Sequence, residues 1–155
     1  MAIKEMNATC CRALLNQESA AQFLGTAASR QACQAIGARF VGFMPLHLLA
    51  MRRMRRINAV ARDVITLCVH GAKAANPALL DARTPKGMTP LMFCGSTNNI
   101  TLAESSLEAK VDINLPNGDG EHKKNILDYA LCTKITKGAR SVGELLKTKY
   151  NMEPV

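Results

Sequence analysis

Cys68 and His70 are a pairing that could do chemistry, since a thiol beside an imidazole base is the core of a cysteine nucleophile. They stand two residues apart, and on a helix such neighbours do not face each other, so both are expected to be structural. Gly118, Asp119 and Gly120, followed by Lys123 and Lys124, have the composition of a phosphate-binding loop. They lack the G-x-x-x-x-G-K-S/T spacing and read as a turn. Asp112, Asp119, Glu121 and Asp128 could hold a hard cation, but their order does not fit an EF-hand loop. The six cysteines, Cys10, Cys11, Cys33, Cys68, Cys94 and Cys132, contain no C-x-x-C pair and no zinc spacing with histidine. These residues imply no catalytic group, no metal and no cofactor, and the chain is expected not to be an enzyme.

The run Met51-Arg52-Arg53-Met54-Arg55-Arg56 is the most unusual feature. Three uses compete for it. Arginines near a helix C-terminus are favoured by the negative end of the dipole and can simply be solvated. They can dock an acidic protein. They can also contact nucleic acid or an anionic surface, although no stacking aromatics are interleaved to favour nucleic acid. The formal net charge is +8 and is unevenly placed: residues 1–77 carry ten Lys/Arg against Glu5, Glu18 and Asp63, while residues 78–155 are nearly neutral. Such a balance bears on partners rather than on fold.

These groups are carried on a chain of 155 residues, one domain's worth, with 48% hydrophobic residues, 4% aromatics and no Trp. Ala, Leu and Met dominate, which argues for helices over a β-sandwich or barrel. No apolar run approaches the roughly 18 residues of a membrane span, and the N-terminus has no apolar h-region. The cysteines are therefore expected to be thiols in a reducing, cytoplasmic compartment.

Two segments repeat each other. Gly42-Phe43-Met44-Pro45-Leu46-His47-Leu48-Leu49-Ala50 is matched by Gly87-Met88-Thr89-Pro90-Leu91-Met92-Phe93-Cys94-Gly95. Both follow the pattern G-x-T-P-L-H-x-A. Val69-His70-Gly71-Ala72 and Leu107 to Asn114 resemble the L-L-x-H-G-A-D-V-N end of the same unit, and Asn125-Ile126-Leu127-Asp128-Tyr129-Ala130 opens a third. Residues 40–152 thus resemble the ankyrin repeat family, with insertions around Met51–Ala61, Lys73–Arg83, His122–Lys124 and Ile135–Arg140. Pro45 and Pro90 fall at first-turn positions where a missing N–H costs nothing, Thr89 can cap its helix, and Gly71 is placed to end one in a left-handed conformation. Lys110 stands where the family has Gly and is expected at positive φ. In many repeats the Thr and His of the motif hydrogen-bond within the unit. Met44, Met92, Asn125 and Asp128 replace one or both of them, so that network is expected to be incomplete in every unit.

The resemblance implies an all-α solenoid of helix-turn-helix units, with repeats at about 41–83, 84–116 and 117–152 and residues 1–40 as a helical N-terminal cap. Short helices are expected within 8–15, 18–26 and 29–36, with Gly25 and Gly37 as stops. It also implies a non-catalytic module that binds another protein through finger loops and the concave face of the first helices, and the basic run adds that this protein could be acidic. Carried onto this sequence, one finger offers Pro85, Lys86 and Met88, and the next Gly118, Asp119, Glu121 and His122. The helix ends offer Met51, Arg52, Ser96, Thr97, Cys132 and Thr133, joined by Arg53, Arg55 and Arg56 of the basic run. Small members of the family serve as adaptors, inhibitors or bacterial proteins delivered into host cells. Oligomeric state is left open, with a monomer favoured.

The motif leucines fix the register. Leu91→Ala is expected to cost about 2–5 kcal/mol in urea unfolding, because the side chain should lie between helices. A loss under about 0.5 kcal/mol would place Leu91 at the surface and break the register.

Overall fold

Pro45 and Pro90 each open a short helix, and the rest of the architecture is built around these two starts. The computed structural model describes residues 20–29, 31, 38–52, 59–118, 123–134 and 140–153. Within them the chain is all-α, with seven α-helices and no strand. These are α1 (Ala20–Gly25), α2 (Pro45–Ala50), α3 (Ala59–Ala75), α4 (Pro90–Thr97), α5 (Ile100–Glu108), α6 (Ile126–Leu131) and α7 (Val142–Tyr150). Among the described residues no helix is long and apolar enough to cross a membrane. The expected helices at 8–15 and 32–36 lie outside the described residues, whereas Ser29, expected in a helix, lies in irregular backbone.

Consecutive helices are in contact as three pairs, α2/α3, α4/α5 and α6/α7. The first helices stack in a row, α2 on α4 and α4 on α6, while α3 lies against α5 and α1 covers α2 and α3. The row is apolar where the pairs meet: Leu46, Leu49, Leu91, Ile126 and Leu127 are all buried, continuous with Ile65, Leu102 and Leu146 of the second helices. Leu91 therefore lies where the motif register expects it.

Capping explains where α4, α5, α6 and α7 start. The Thr89 hydroxyl accepts from the Met92 N–H at 3.3 Å. Asn99 and Ser141 do the same for α5 and α7, accepting from Leu102 and Glu144. In α6 the cap is reciprocal: Asn125 Oδ1 accepts from the N–H groups of Leu127 and Asp128, and Asp128 Oδ2 accepts from the Asn125 N–H at 2.8 Å. This corrects the expectation of a network left incomplete in every unit. The third unit completes it with a different pair of residues.

Two further expectations are corrected. Gly71 does not end its helix, because α3 runs on to Ala75 and only Gly42 and Gly87 among the described glycines have positive φ. One internal Gly costs roughly 1 kcal/mol against Ala, and the Ala72-Lys73-Ala74-Ala75 run that follows, with Ala72 fully buried, outweighs it. The insertion at Lys73–Arg83 is thus largely helix and not finger. Its remainder is a 3-10 helix, Pro77–Asp81, capped by Asn76. Lys110 does adopt positive φ, at 67°.

Gly95 of α4 sits directly against the backbone of α6. A methyl there would come within 2.7 Å of the Ile126 carbonyl oxygen and 3.2 Å of the Ala130 nitrogen, both backbone atoms. At Gly143 in α7 a methyl would meet only Ala130 Cβ at 3.7 Å and Ser141 Oγ at 3.8 Å, ordinary contact. The two substitutions should therefore differ in sign. Gly95→Ala should lose about 1–3 kcal/mol by forcing the helices apart. Gly143→Ala should gain about 0.4–1 kcal/mol by restricting the unfolded chain. Equal effects in urea unfolding would show that α4 and α6 do not pack at Gly95.

Candidate functional site: a cleft between two fingers

Two loops carry the site, one before α2 and one before α4. In the second, the Gly87 N–H bonds the Thr84 carbonyl at 2.8 Å, closing a four-residue turn with Pro85 at its second position, where the ring's fixed φ is favoured. The Thr84 hydroxyl accepts from the Met88 N–H, and the Thr84 N–H donates to the Met88 carbonyl at 2.9 Å, so the loop is pinned on both sides of its base. In the first loop the Phe43 N–H bonds the Phe40 carbonyl at 3.0 Å around Gly42. Gly42 has φ +81° and Gly87 φ +73°, the left-handed region that glycine tolerates. Each also touches the following finger: a methyl on Gly42 would fall 2.6 Å from Pro85 Cγ, and one on Gly87 would fall 2.2 Å from the Gly118 nitrogen.

Between these two loops lies a cleft of about 340 Å³. Its first wall is Arg39, Phe40, Val41 and Phe43. Its second is Thr84, Pro85, Lys86 and Met88. Met51 at the end of α2 and Phe93 of α4 complete the lining. Phe43 stands between Phe40, at 5.7 Å edge-on, and Phe93, at 5.5 Å. The Arg39 guanidinium covers the Phe40 ring at 4.8 Å. Phe43 and Met88 occupy the position before their helix caps, and Phe93 the fourth helical position, the places where apolar side chains fix the angle at which a chain enters a helix.

His47 lies under the cleft, fully buried, edge-on to both Phe43 and Phe93. Its Nδ1 accepts from the Met44 N–H at 3.0 Å, so the proton belongs on Nε2, which reaches the carbonyls of Ala82 at 2.9 Å and Met88 at 3.2 Å. One imidazole thus caps α2 and fastens the base of the next finger. Burial pulls its pKa below the ordinary value, opposed by the carbonyls that accept from Nε2.

Of the residues expected to meet a partner, Met51, Pro85, Lys86 and Met88 are brought together here. Arg52 is exposed at the adjoining helix end. Ser96, Thr97 and Thr133 are half-buried, and their hydroxyls bond within the fold. Thr97 Oγ1 reaches the Ala50 carbonyl at 2.7 Å, and Thr133 Oγ1 reaches the Gly95 and Ser96 carbonyls at 3.0 and 3.2 Å. Cys132 is exposed on α6's C-terminal end, and Gly118 is exposed against Gly87. Arg53, Arg55, Arg56, Asp119, Glu121 and His122 lie outside the described residues. Cys68 and Cys94 are buried thiols, and burial pushes the Cys94 thiol far up. His70 is exposed on α3 while Cys68 is buried, so the two do not form a catalytic pair. Among the described residues no three His, Cys, Asp or Glu side chains gather as a metal site.

Phe40, Phe43, Phe93, Arg39 and Val41 are not among the residues that the sequence places at a partner surface. The available signal was that three of only four phenylalanines flank the two motif starts. Neither a family model nor a curated protein matches this chain, so a functional reading must rest on the cleft itself.

The His47 geometry has a pH consequence. A base whose folded pKa is depressed binds fewer protons folded than unfolded, so its contribution to stability is full above about pH 6.5 and is lost as pH falls below that. Unfolding free energy should therefore drop between pH 7.5 and 5.5. His47→Gln should be less stable at pH 7.5 by about 1–3 kcal/mol and show a flatter profile. Asp81, whose carboxyl burial raises, contributes with the opposite sign, and Asp81→Asn serves as its control. An unchanged slope in His47→Gln would remove His47 as the origin.

Proposed function

We propose that the chain is an ankyrin-type repeat module without catalytic activity that binds another protein across the cleft between its first two fingers, as an adaptor or inhibitor. One observation carries this reading: half-buried aromatic and methionine side chains from three separate segments converge on an open cleft with exposed cations at its mouth. Apolar, aromatic and Met-rich concavities with a polar rim are what protein recognition sites are made of. The ankyrin reading is supported by the recurrence of paired helices, with Pro45 and Pro90 both at the first helical position, Thr89 capping one helix and His47 closing the cap of the other. The cytoplasm, or the inside of a host cell, is the compartment proposed with it.

The test is site-directed photocrosslinking. A photoreactive phenylalanine analogue replacing Lys86 should capture a defined protein that the same analogue at His70, exposed on α3, does not. The captured protein, purified, should bind the wild-type chain and lose at least about tenfold in affinity to Met88→Glu. Equal binding to Met88→Glu would move the interface away from the cleft. The alternative, nucleic acid or an anionic surface held by residues 52–56, is tested by Arg52→Glu with Arg55→Glu: salt-sensitive binding of random duplex DNA that this pair abolishes would favour it.

A further inference from the structure

We infer that the occupant of the cleft is a short peptide segment carrying one large apolar side chain with an acidic residue close beside it. This rests on the docking reading above and names the chemistry of the partner. The argument begins with charge. Arg39 and Lys86 are both exposed and stand on opposite fingers, one on each wall of the cleft. No carboxylate lines the cleft, and among the described residues neither cation has an ion-pair partner. Two uncompensated cations across one apolar opening set a positive potential there, focused by the low-dielectric walls. A carboxylate arriving beside the apolar anchor meets that potential without first displacing an internal partner.

The size and composition of the opening agree. A volume of about 340 Å³ is at the small end of ligand sites, suited to one anchoring side chain and its neighbours rather than to a folded element. Met51 and Met88 are unbranched and polarizable, so they adapt to an apolar side chain of varied shape. Nucleobase stacking fits less well. The Phe40 ring face is already covered by Arg39, and Phe43 is engaged with Phe40 and Phe93, leaving the rings committed to each other.

The experiment pans a random 12-residue phage-displayed peptide library against the full chain. A synthetic, fluorescently labelled copy of the most enriched sequence is then measured by anisotropy. The expected consensus is a Leu, Ile, Met, Phe or Tyr with Asp or Glu within about three positions. Arg39→Glu combined with Lys86→Glu should weaken that peptide by about tenfold or more, with the larger difference at low salt. A second peptide with its acids changed to Lys should bind the double variant better than the wild type, a rescue that a misfolded protein would not give. Met88→Glu should abolish binding of both. A consensus of apolar residues without acids, still lost in Met88→Glu, would overturn this inference and leave the docking cleft standing. Enrichment of nothing that depends on Met88 would overturn both. Displacement of the peptide by a single-stranded 12-mer oligonucleotide, with direct binding of that oligonucleotide lost in Met88→Glu, would replace the peptide with nucleic acid.

Discussion

Helices of six to nine residues cannot satisfy their own backbones. The first four N–H and last four C=O groups of any α-helix lack intrahelical partners, so in α2, α4, α5, α6 and α7 a large share of the backbone polar groups is terminal. Buried and unpaired, each such group would cost on the order of 1–3 kcal/mol. The chain meets this constraint by spending polar side chains at the junctions between helix pairs. Asn99 caps α5 with its Oδ1, while its Nδ2 bonds the Leu49 carbonyl at the end of α2 at 3.2 Å. Asn98, left-handed at φ 56°, faces the other way and holds the Arg140 carbonyl and the Val142 N–H at the start of α7. Thr97 and Thr133 each reach back to the end of the preceding first helix. Backbone satisfaction and inter-unit stacking are therefore one and the same set of bonds.

The cleft follows from that stitching. Its two walls belong to consecutive fingers, and a finger is an irregular loop that would otherwise be free to move. His47 ties the base of the second finger to the start of α2, and Gly42 lets the first finger lie directly on Pro85. Arg83 extends the series, donating to the Gly87 and Pro116 carbonyls at 3.0 and 2.7 Å and so joining the second finger to the third. With the fingers fixed, Phe43 and Phe93, fifty residues apart in sequence, are held 5.5 Å apart. Such preorganisation lowers the conformational entropy lost when a ligand binds.

Much of this was legible in the residues. The helix starts were written in Pro45, Thr89 and Pro90, the buried face in Leu91 and Leu127, and the strained position in Lys110. What escaped had a common cause. Asn98-Asn99 reads locally as a loop, and only the third dimension shows that one Asn points backward and its neighbour forward. Asn125 and Asp128 look like losses from the Thr-and-His pattern, yet N-cap chemistry accepts Asn and a reciprocal carboxylate equally well. Gly71 looked like a stop because Gly often ends helices, but the Ala-rich run behind it continued the helix. The aromatic part of the cleft was missed because each of its residues is ordinary by itself. Phe43 alone is a residue before a cap, and Phe93 alone is one turn into a helix.

The same overlap divides the cleft residues into two kinds. In stacked units, stability is close to a sum of each unit and its nearest-neighbour interface. His47, Phe43 and Phe93 belong to the interface between the first two helix pairs, so changing them alters the junction as well as the surface it presents. Lys86 and the Arg39 guanidinium are exposed at the rim and tie no helix pair to another. A ligand seated across the two walls contacts both kinds at once and must stabilise the junction by its own binding free energy, through mass action on the folded state. Affinity can then be altered through the exposed residues without loosening the fold, whereas the aromatic floor is constrained by both. In the docking mode proposed above, that asymmetry assigns specificity to the charged rim: the apolar floor is held in place by the need to keep two helix pairs together.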